Sequence, residues 1–134
     1  MTTDTPTSAP IGTEAQHRQA LRDGRFEIQH CAACARHVYY PRSLCPHCGH
    51  APLQWVAAQG TGTVHAATTV RRQAAAGGDL SVCLVELDEG VRLMSQVQGL
   101  PADAVAVGLR VRARIEAHQG EPRVVFEPLA GVAP

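Results

Sequence analysis

The sequence predicts an all-β protein: a short N-terminal helix, a cysteine-bearing ribbon and a small five-stranded barrel. Three observations carry this. The cysteines at 31, 34, 45 and 48 stand as two C-x-x-C pairs with ten residues between the pairs. From residue 61 onward, alternating and β-branched segments recur between turn signals, the rhythm of short strands joined by hairpins. The clearest helical pattern lies before the cysteines, at 13–25.

Taken in order, residues 1–12 form a polar tail with too little apolar surface to repay the entropy of ordering, and 130–134 form a second tail. Thr13 followed by Gln16 reads as a capping box for the helix TEAQHRQALRD, which Gly24 stops. Leu21 is its only large apolar residue, so this helix must lie against something else to persist. FEIQH (26–30) alternates Phe26 and Ile28 with polar neighbours and reads as a strand entering the ribbon, which runs over 26–58. LQWV (53–56) is a strand out of it, and Gly60 and Gly62 bracket a turn at the start of the barrel, 59–129.

Within the barrel, TVHAATTV (63–70) is followed by an exposed loop, RRQAAAGGD (71–79), and by the strongly strand-like LSVCLVEL (80–87). Asp88-Glu89-Gly90 turns the chain into VRLMSQV (91–97), and PADAVAVG (101–108) is an irregular or short helical crossover. LRVRARIE (109–116) alternates, with Leu109, Val111, Ala113 and Ile115 inward and Arg110, Arg112 and Arg114 outward. A turn at 118–121 leads to RVVFEPL (123–129). A sheet this small, left open, would expose its edges and one apolar face, so closure or partial closure into a barrel is expected.

Composition narrows the function classes. The 134 residues carry 12 basic and 12 acidic side chains, the basic ones all arginine, for a formal net charge of zero. That balance gives no positive field for nucleic acid or an anionic membrane, and little self-repulsion against association with another protein. No apolar run approaches the roughly 20 residues of a membrane helix, and the first sixteen residues have no signal-peptide core. Four of five cysteines in C-x-x-C pairs suit a metal in a reducing compartment, with the cytoplasm as the expected location.

Two residues between thiols let each pair curl into a knuckle whose sulfurs point to one centre. The intervening segment then brings the second knuckle back to complete a tetrahedron. Cys31, Cys34, Cys45 and Cys48 are therefore read as the ligands of one structural zinc, with iron an alternative of the same ligand chemistry. Gly49 suits the positive φ just past the second knuckle; Ala35 occupies the equivalent place in the first and is expected to be strained there. Arg36 and Arg42 are the charged residues available to ease the −2 charge of four thiolates on zinc. His30, His37, His47 and His50 are read as surface or packing residues, Cys83 as a buried inert thiol, and Asp88-Glu89 as a solvated turn. His65 is not assigned as a base. No phosphate loop, nucleophile elbow or H-E-x-x-H stands in the sequence, so no catalytic residue is assigned.

The order GRFEIQHCAACARHVYYPRSLCPHCGHAPLQWV, GTGTVHAATTV, LSVCLVELDEGVRLMSQV, VGLRVRARIE resembles a bacterial and archaeal family, domain of unknown function 35. These are acyl-CoA-associated proteins with a rubredoxin-like zinc ribbon and an OB fold. The Tyr40-Pro41-Arg42 segment and the Val85–Gly90 stretch are its most specific pieces, and it covers about 13–129. The resemblance implies a five-stranded OB barrel, zinc on the four cysteines, and partnership with a thiolase-like or lipid-transfer-protein-like catalytic subunit. Acetyltransferases, hydroxymethylglutaryl-CoA synthase systems and steroid side-chain aldolases are of this kind. It implies a non-catalytic accessory role in binding or shielding acyl-CoA. Two departures stand out: Ala35 where the family has glycine, and GGDLSV without the usual Pro-Tyr.

Arg71, Arg72, Arg36 and Arg42 are the candidate contacts for the phosphates of such a thioester. Competing readings are a nucleic-acid-binding OB protein and a free-standing acyl-CoA binder or small enzyme. The first is opposed by a barrel region with Phe126 as its sole aromatic.

Overall fold

The computed structural model of the chain describes residues 12–129; the tails expected at 1–12 and 130–134 lie outside the described residues, Gly12 excepted. Helix α1 spans Thr13–Arg22 and ends where Gly24 takes φ 85°. The expected capping box does not form. Gly12 occupies the N-cap position with no side-chain cap bond, and its carbonyl accepts the Gln16 N–H at 3.0 Å. Gln16 Oε1 instead accepts the indole N–H of Trp55 at 2.7 Å, because a half-buried indole donor needs a protein acceptor more than a helix end open to water does. That bond ties α1 to the ribbon. Beneath it the helix buries His17, Ala20 and Leu21.

The ribbon is a three-stranded antiparallel sheet of β1 (Glu27–His30), β2 (His37–Val38) and β3 (Gln54–Ala57), in the order β2-β1-β3. Simple alternation would put Gln29 outside, yet it is 2% exposed. Both ends of its amide are satisfied by Arg42: Gln29 Nε2 donates to the Arg42 carbonyl at 2.8 Å, and the Arg42 N–H donates to Gln29 Oε1 at 2.7 Å. A buried amide with both groups paired avoids the desolvation penalty that would otherwise expel it. The effect is to pin the loop that precedes the second knuckle.

Five strands follow: β4 (Thr61–Val70), β5 (Leu80–Leu87), β6 (Arg92–Ser95), β7 (Arg110–His118) and β8 (Glu121–Pro128), in the order β6-β5-β4-β7-β8. All named pairs are antiparallel. A parallel bridge between Val97 and Phe126 brings the two ends of the sheet together, with the Gln98 N–H on the Phe126 carbonyl at 2.7 Å. This is a curled five-stranded sheet consistent with an OB-fold half-barrel. Single turns of 3-10 helix at Ala74–Ala76 and Ala102–Ala104 occupy the expected loop and crossover.

Residue identity explains the curl. β5 alternates half-buried and buried along its whole length, and β7 buries Val111 while Arg112 and Arg114 stay exposed. Gly60 turns the chain with φ 85°, but Gly62 belongs to β4 rather than to the turn read from sequence. It pairs with both Leu87 and Val111, where neighbouring backbone approaches too closely for a side chain. Val64, Val85, Leu87, Leu93, Val111 and Phe126 fill the interior, and Ile28 from the ribbon belongs to the same cluster. One core therefore runs from the barrel into the base of the ribbon. Each such side chain contributes about 1.5–3 kcal/mol through burial.

Asp88, read as a solvated turn residue, is a clasp. Arg110 pairs with both its carboxylate oxygens at 2.8 and 3.0 Å, and the Thr61 hydroxyl donates to it at 2.6 Å. The Arg110 guanidinium and then the Thr61 hydroxyl hold the carboxyl at about 2. A carboxyl lowered on folding stabilises above its unfolded pKa and loses that contribution as pH falls through the folded value. Because its side chain is 36% exposed, screening reduces the contribution to about 1 kcal/mol. Chemical denaturation of Asp88→Asn beside the wild type should show that gap at neutral pH, closing as pH falls below about 4.

Candidate metal centre

The four sequence-predicted cysteines converge. Their Sγ atoms all lie within 4.8 Å of one another, with Cys31 and Cys48 at 3.6 Å and Cys34 and Cys45 at 3.7 Å. A disulfide would need about 2.05 Å. Tetrahedral Zn–S bonds of about 2.3 Å place sulfurs about 3.8 Å apart, so the donor set fits one four-thiolate zinc.

The two knuckles repeat one another. Cys31 N–H donates to the Arg36 carbonyl and Cys45 N–H to the His50 carbonyl, each at 2.9 Å. The N–H groups of Ala35 and Gly49 return to the Cys31 and Cys45 carbonyls, each at 2.8 Å. Ala35 and Gly49 are the matching positions, with φ 62° and 79°. The strain expected at Ala35 is thus present, since alanine pays about 1 kcal/mol in the left-handed region that glycine enters freely.

Apolar packing at this end is thin. The cluster consists of Cys31, Val38 and Cys45, with Cys34 and Leu53 against it. Burial raises the Cys45 thiol, but the backbone N–H groups of His47 and Cys48, joined by the Cys34 and Cys31 thiols, outweigh it and lower the thiol to about 7. The neighbouring Cys34 and Cys48 thiols are pushed up, so a first thiolate forms at Cys45 at the expense of the others. The His47 N–H sits 3.4 Å from Cys45 Sγ. Such amide donors are the usual relief for the −2 charge of a four-thiolate site.

The candidate arginines lie as follows. Arg36 Nη1 donates to His47 Nδ1 at 3.2 Å, beside the metal centre. Arg42 is anchored through its backbone by Gln29. Arg71 Nη1 reaches Asp79 at 2.6 Å, and Arg72 Nε donates to the Gly78 carbonyl at 2.8 Å, so the loop 71–79 folds back on its own arginines. His30 and His37 pack ring to ring at 4.8 Å. Cys83 is 2% exposed and burial pushes its thiol up, which suits an inert core residue. His65 is the extra residue of a β-bulge between Val64 and Ala66, 3.9 Å from Glu86.

Sequence reading missed His17, which is buried against Tyr39 and Trp55. No residue pattern announced it, because its two aromatic partners stand far along the chain, Tyr39 just after β2 and Trp55 in β3.

Comparison with known proteins agrees with this architecture. Residues 18–53 match the family model described as ChsH2, rubredoxin-like zinc ribbon domain, and 55–116 match ChsH2, C-terminal OB-fold domain. A solved chain of an Ltp2-ChsH2(DUF35) aldolase is 33% identical with a TM-score of 0.77, covering 90% of this chain and 97% of that one. The chain belongs to the ChsH2 (DUF35) family. A DUF35-family protein from Sulfolobus solfataricus shares the fold at 18% identity and a TM-score of 0.63, covering 86% of this chain and 84% of that one.

A probable enoyl-CoA hydratase alpha subunit from Thermomonospora curvata is 35% identical over 95 residues, 69% of this chain. The ChsH2-type chain spans 30% of that protein's length. Its four-cysteine cluster matches the single structural zinc site of the rubredoxin-like ribbon. Among the described residues, no helix is long and apolar enough to cross a membrane.

Proposed function

We propose that this chain is a non-catalytic accessory subunit that joins a thiolase-like or lipid-transfer-protein-like catalytic subunit and helps bind or shield an acyl-CoA thioester. One observation carries the reading: likeness to a chain of an Ltp2-ChsH2(DUF35) aldolase over nearly the whole length of both. The relative described as an enoyl-CoA hydratase subunit supports the same substrate class. Cys31, Cys34, Cys45 and Cys48 hold the zinc. Four thiolates leave no open position on the metal, so its chemistry here is structural and it activates no water.

The chain's own contribution is shape and charge, from a ribbon module at 26–58 and a barrel module at 59–129. The thiolates require a reducing compartment, and the cytoplasm is the proposed location.

Arg71 and Arg72 are the proposed contacts for the phosphates of the CoA head group. Each spends one donor within its own loop, and a guanidinium has five, so donors remain for an incoming phosphate. Arg36 and Arg42 are proposed as a second basic edge beside the ribbon. Kinetics of the complex reconstituted with its catalytic subunit test this, using a CoA thioester and its truncated pantetheine thioester. Changing Arg71 and Arg72 together to Ala should remove most of the preference for the full CoA substrate while the complex stays assembled. An unchanged preference leaves the chain a scaffold. Failure to capture any acyl-CoA-processing enzyme from the native host would overturn the accessory reading itself.

A further inference from the structure

The joint between helix, ribbon and barrel is closed over one imidazole. His17 is 9% exposed. Its ring stacks on Trp55 at 6.1 Å with 14° between planes and meets Tyr39 edge-on at 5.5 Å. The Tyr39 hydroxyl lies 3.4 Å from Nε2, while Nδ1 is buried with no hydrogen-bond partner. A cleft of about 280 Å³ opens beside it, bounded by α1, Tyr39, β6 and β8.

We propose that His17 is a pH-sensitive latch: its neutral imidazole seats α1 on the ribbon and barrel, and its protonation releases the helix. This stands apart from the acyl-CoA reading. A protonated ring must donate from both nitrogens, yet in the seated joint Nδ1 makes no hydrogen bond and Nε2 has the Tyr39 hydroxyl at a long 3.4 Å. The charges around it do not change this outcome. Glu14 and Arg18 lie on α1 itself, Glu27 on β1, and Arg123 on β8, where Glu116 engages it. Glu121 of β8 is taken up by Arg18 and Arg22. Burial lowers the His17 pKa below 6.5, and the nearby Glu27 carbonyl and Glu14 carboxylate act against burial without cancelling it.

A histidine lowered in the seated state stabilises that state fully above its free value of 6.5, and progressively less as pH falls below it. What else holds α1 is modest: Ala20, Leu21, the Trp55–Gln16 bond, and exposed ion pairs to Glu121. Once released, a ten-residue segment cannot keep its helix in water.

Trp55 is the sole tryptophan, so its emission reports on this joint alone. The test follows α1 amide exchange, Trp55 fluorescence and the His17 NMR titration in the full-length zinc-loaded chain. The range is about pH 7.5 to about 5.5, with zinc content checked at each point. One proton changes the opening equilibrium by less than tenfold per pH unit, and starting from the free value of 6.5 the ceiling is about fivefold, so α1 protection should fall by up to about fivefold between about pH 6.5 and 5.5. Barrel protection should not change. The variant His17→Phe, which keeps an aromatic ring but cannot titrate, should show no such fall. Unchanged α1 protection in the wild type, or an equal fall in His17→Phe, would overturn the latch. If His17→Phe fails to seat α1 even at neutral pH, the wild-type titration decides. A His17 midpoint below 6.5 tracked by Trp55 supports the latch, and one at or above 6.5, or an untracked one, overturns it.

Discussion

Replacing Cys45 with alanine is expected to unfold residues 31–53 and to reduce bound zinc from one equivalent to almost none. The expected effect is large because the metal substitutes for a core. Among the described residues, Val38 and Leu53 are the apolar side chains packed around the sulfurs, far less than a separate module needs. Structural zinc in such modules supplies about 10 kcal/mol or more of apparent folding free energy. The base of the ribbon should respond differently. Ile28 sits in the barrel core, and Phe26 and Val56 pack against that core, so β1 and β3 should keep part of their order while the knuckles melt. Elemental analysis and amide exchange on the variant check both halves of this result. A native-like knuckle region without metal would refute it.

The second large effect is expected at Gly62. A Cβ placed there would stand 2.6 Å from the Glu86 carbonyl oxygen and 3.1 Å from Leu87 Cα. Both are backbone atoms of the paired strand, so relief requires β4 and β5 to separate. Gly62→Ala should cost about 3 kcal/mol, the upper range for overpacking, and lower the thermal midpoint by about 10 °C. Gly24→Ala is the informative companion. Gly24 has φ 85° with nothing within 4 Å of its would-be Cβ, so only backbone strain of about 1 kcal/mol is expected. Equal losses at the two positions would mean that close approach is not what fixes Gly62.

The features legible in the sequence were those set by local pattern. β5 falls on the apolar run at 80–87, and β7 buries the alternating face headed by Val111. The cysteine spacing placed four sulfurs within bonding reach of one metal, and Ala35 took the positive φ that its position in the knuckle demanded. What was not legible depended on partners distant in the chain. Gln29 looks solvent-facing until Arg42, thirteen residues later, offers both a carbonyl and an N–H. Thr13 and Gln16 fit a capping pattern that a tryptophan thirty-nine residues away overrides. Asp88 reads as an ordinary turn residue until Arg110 arrives from β7. Gly62 looks like a second turn glycine because nothing local signals that two strands will close on it. In each case a long-range hydrogen bond or contact outweighed a local preference worth about 1 kcal/mol or less.

The most direct test of the accessory role is thioester turnover measured on the zinc-loaded chain alone and again with its captured catalytic partner. A closed four-thiolate site and a barrel with no assigned nucleophile should give no turnover of acyl-CoA, hydroxyacyl-CoA or β-keto thioesters alone. With the partner present, activity should appear and should depend on this chain. Turnover by the isolated chain that survives removal of contaminating enzymes would contradict the proposal and make the protein an enzyme in its own right.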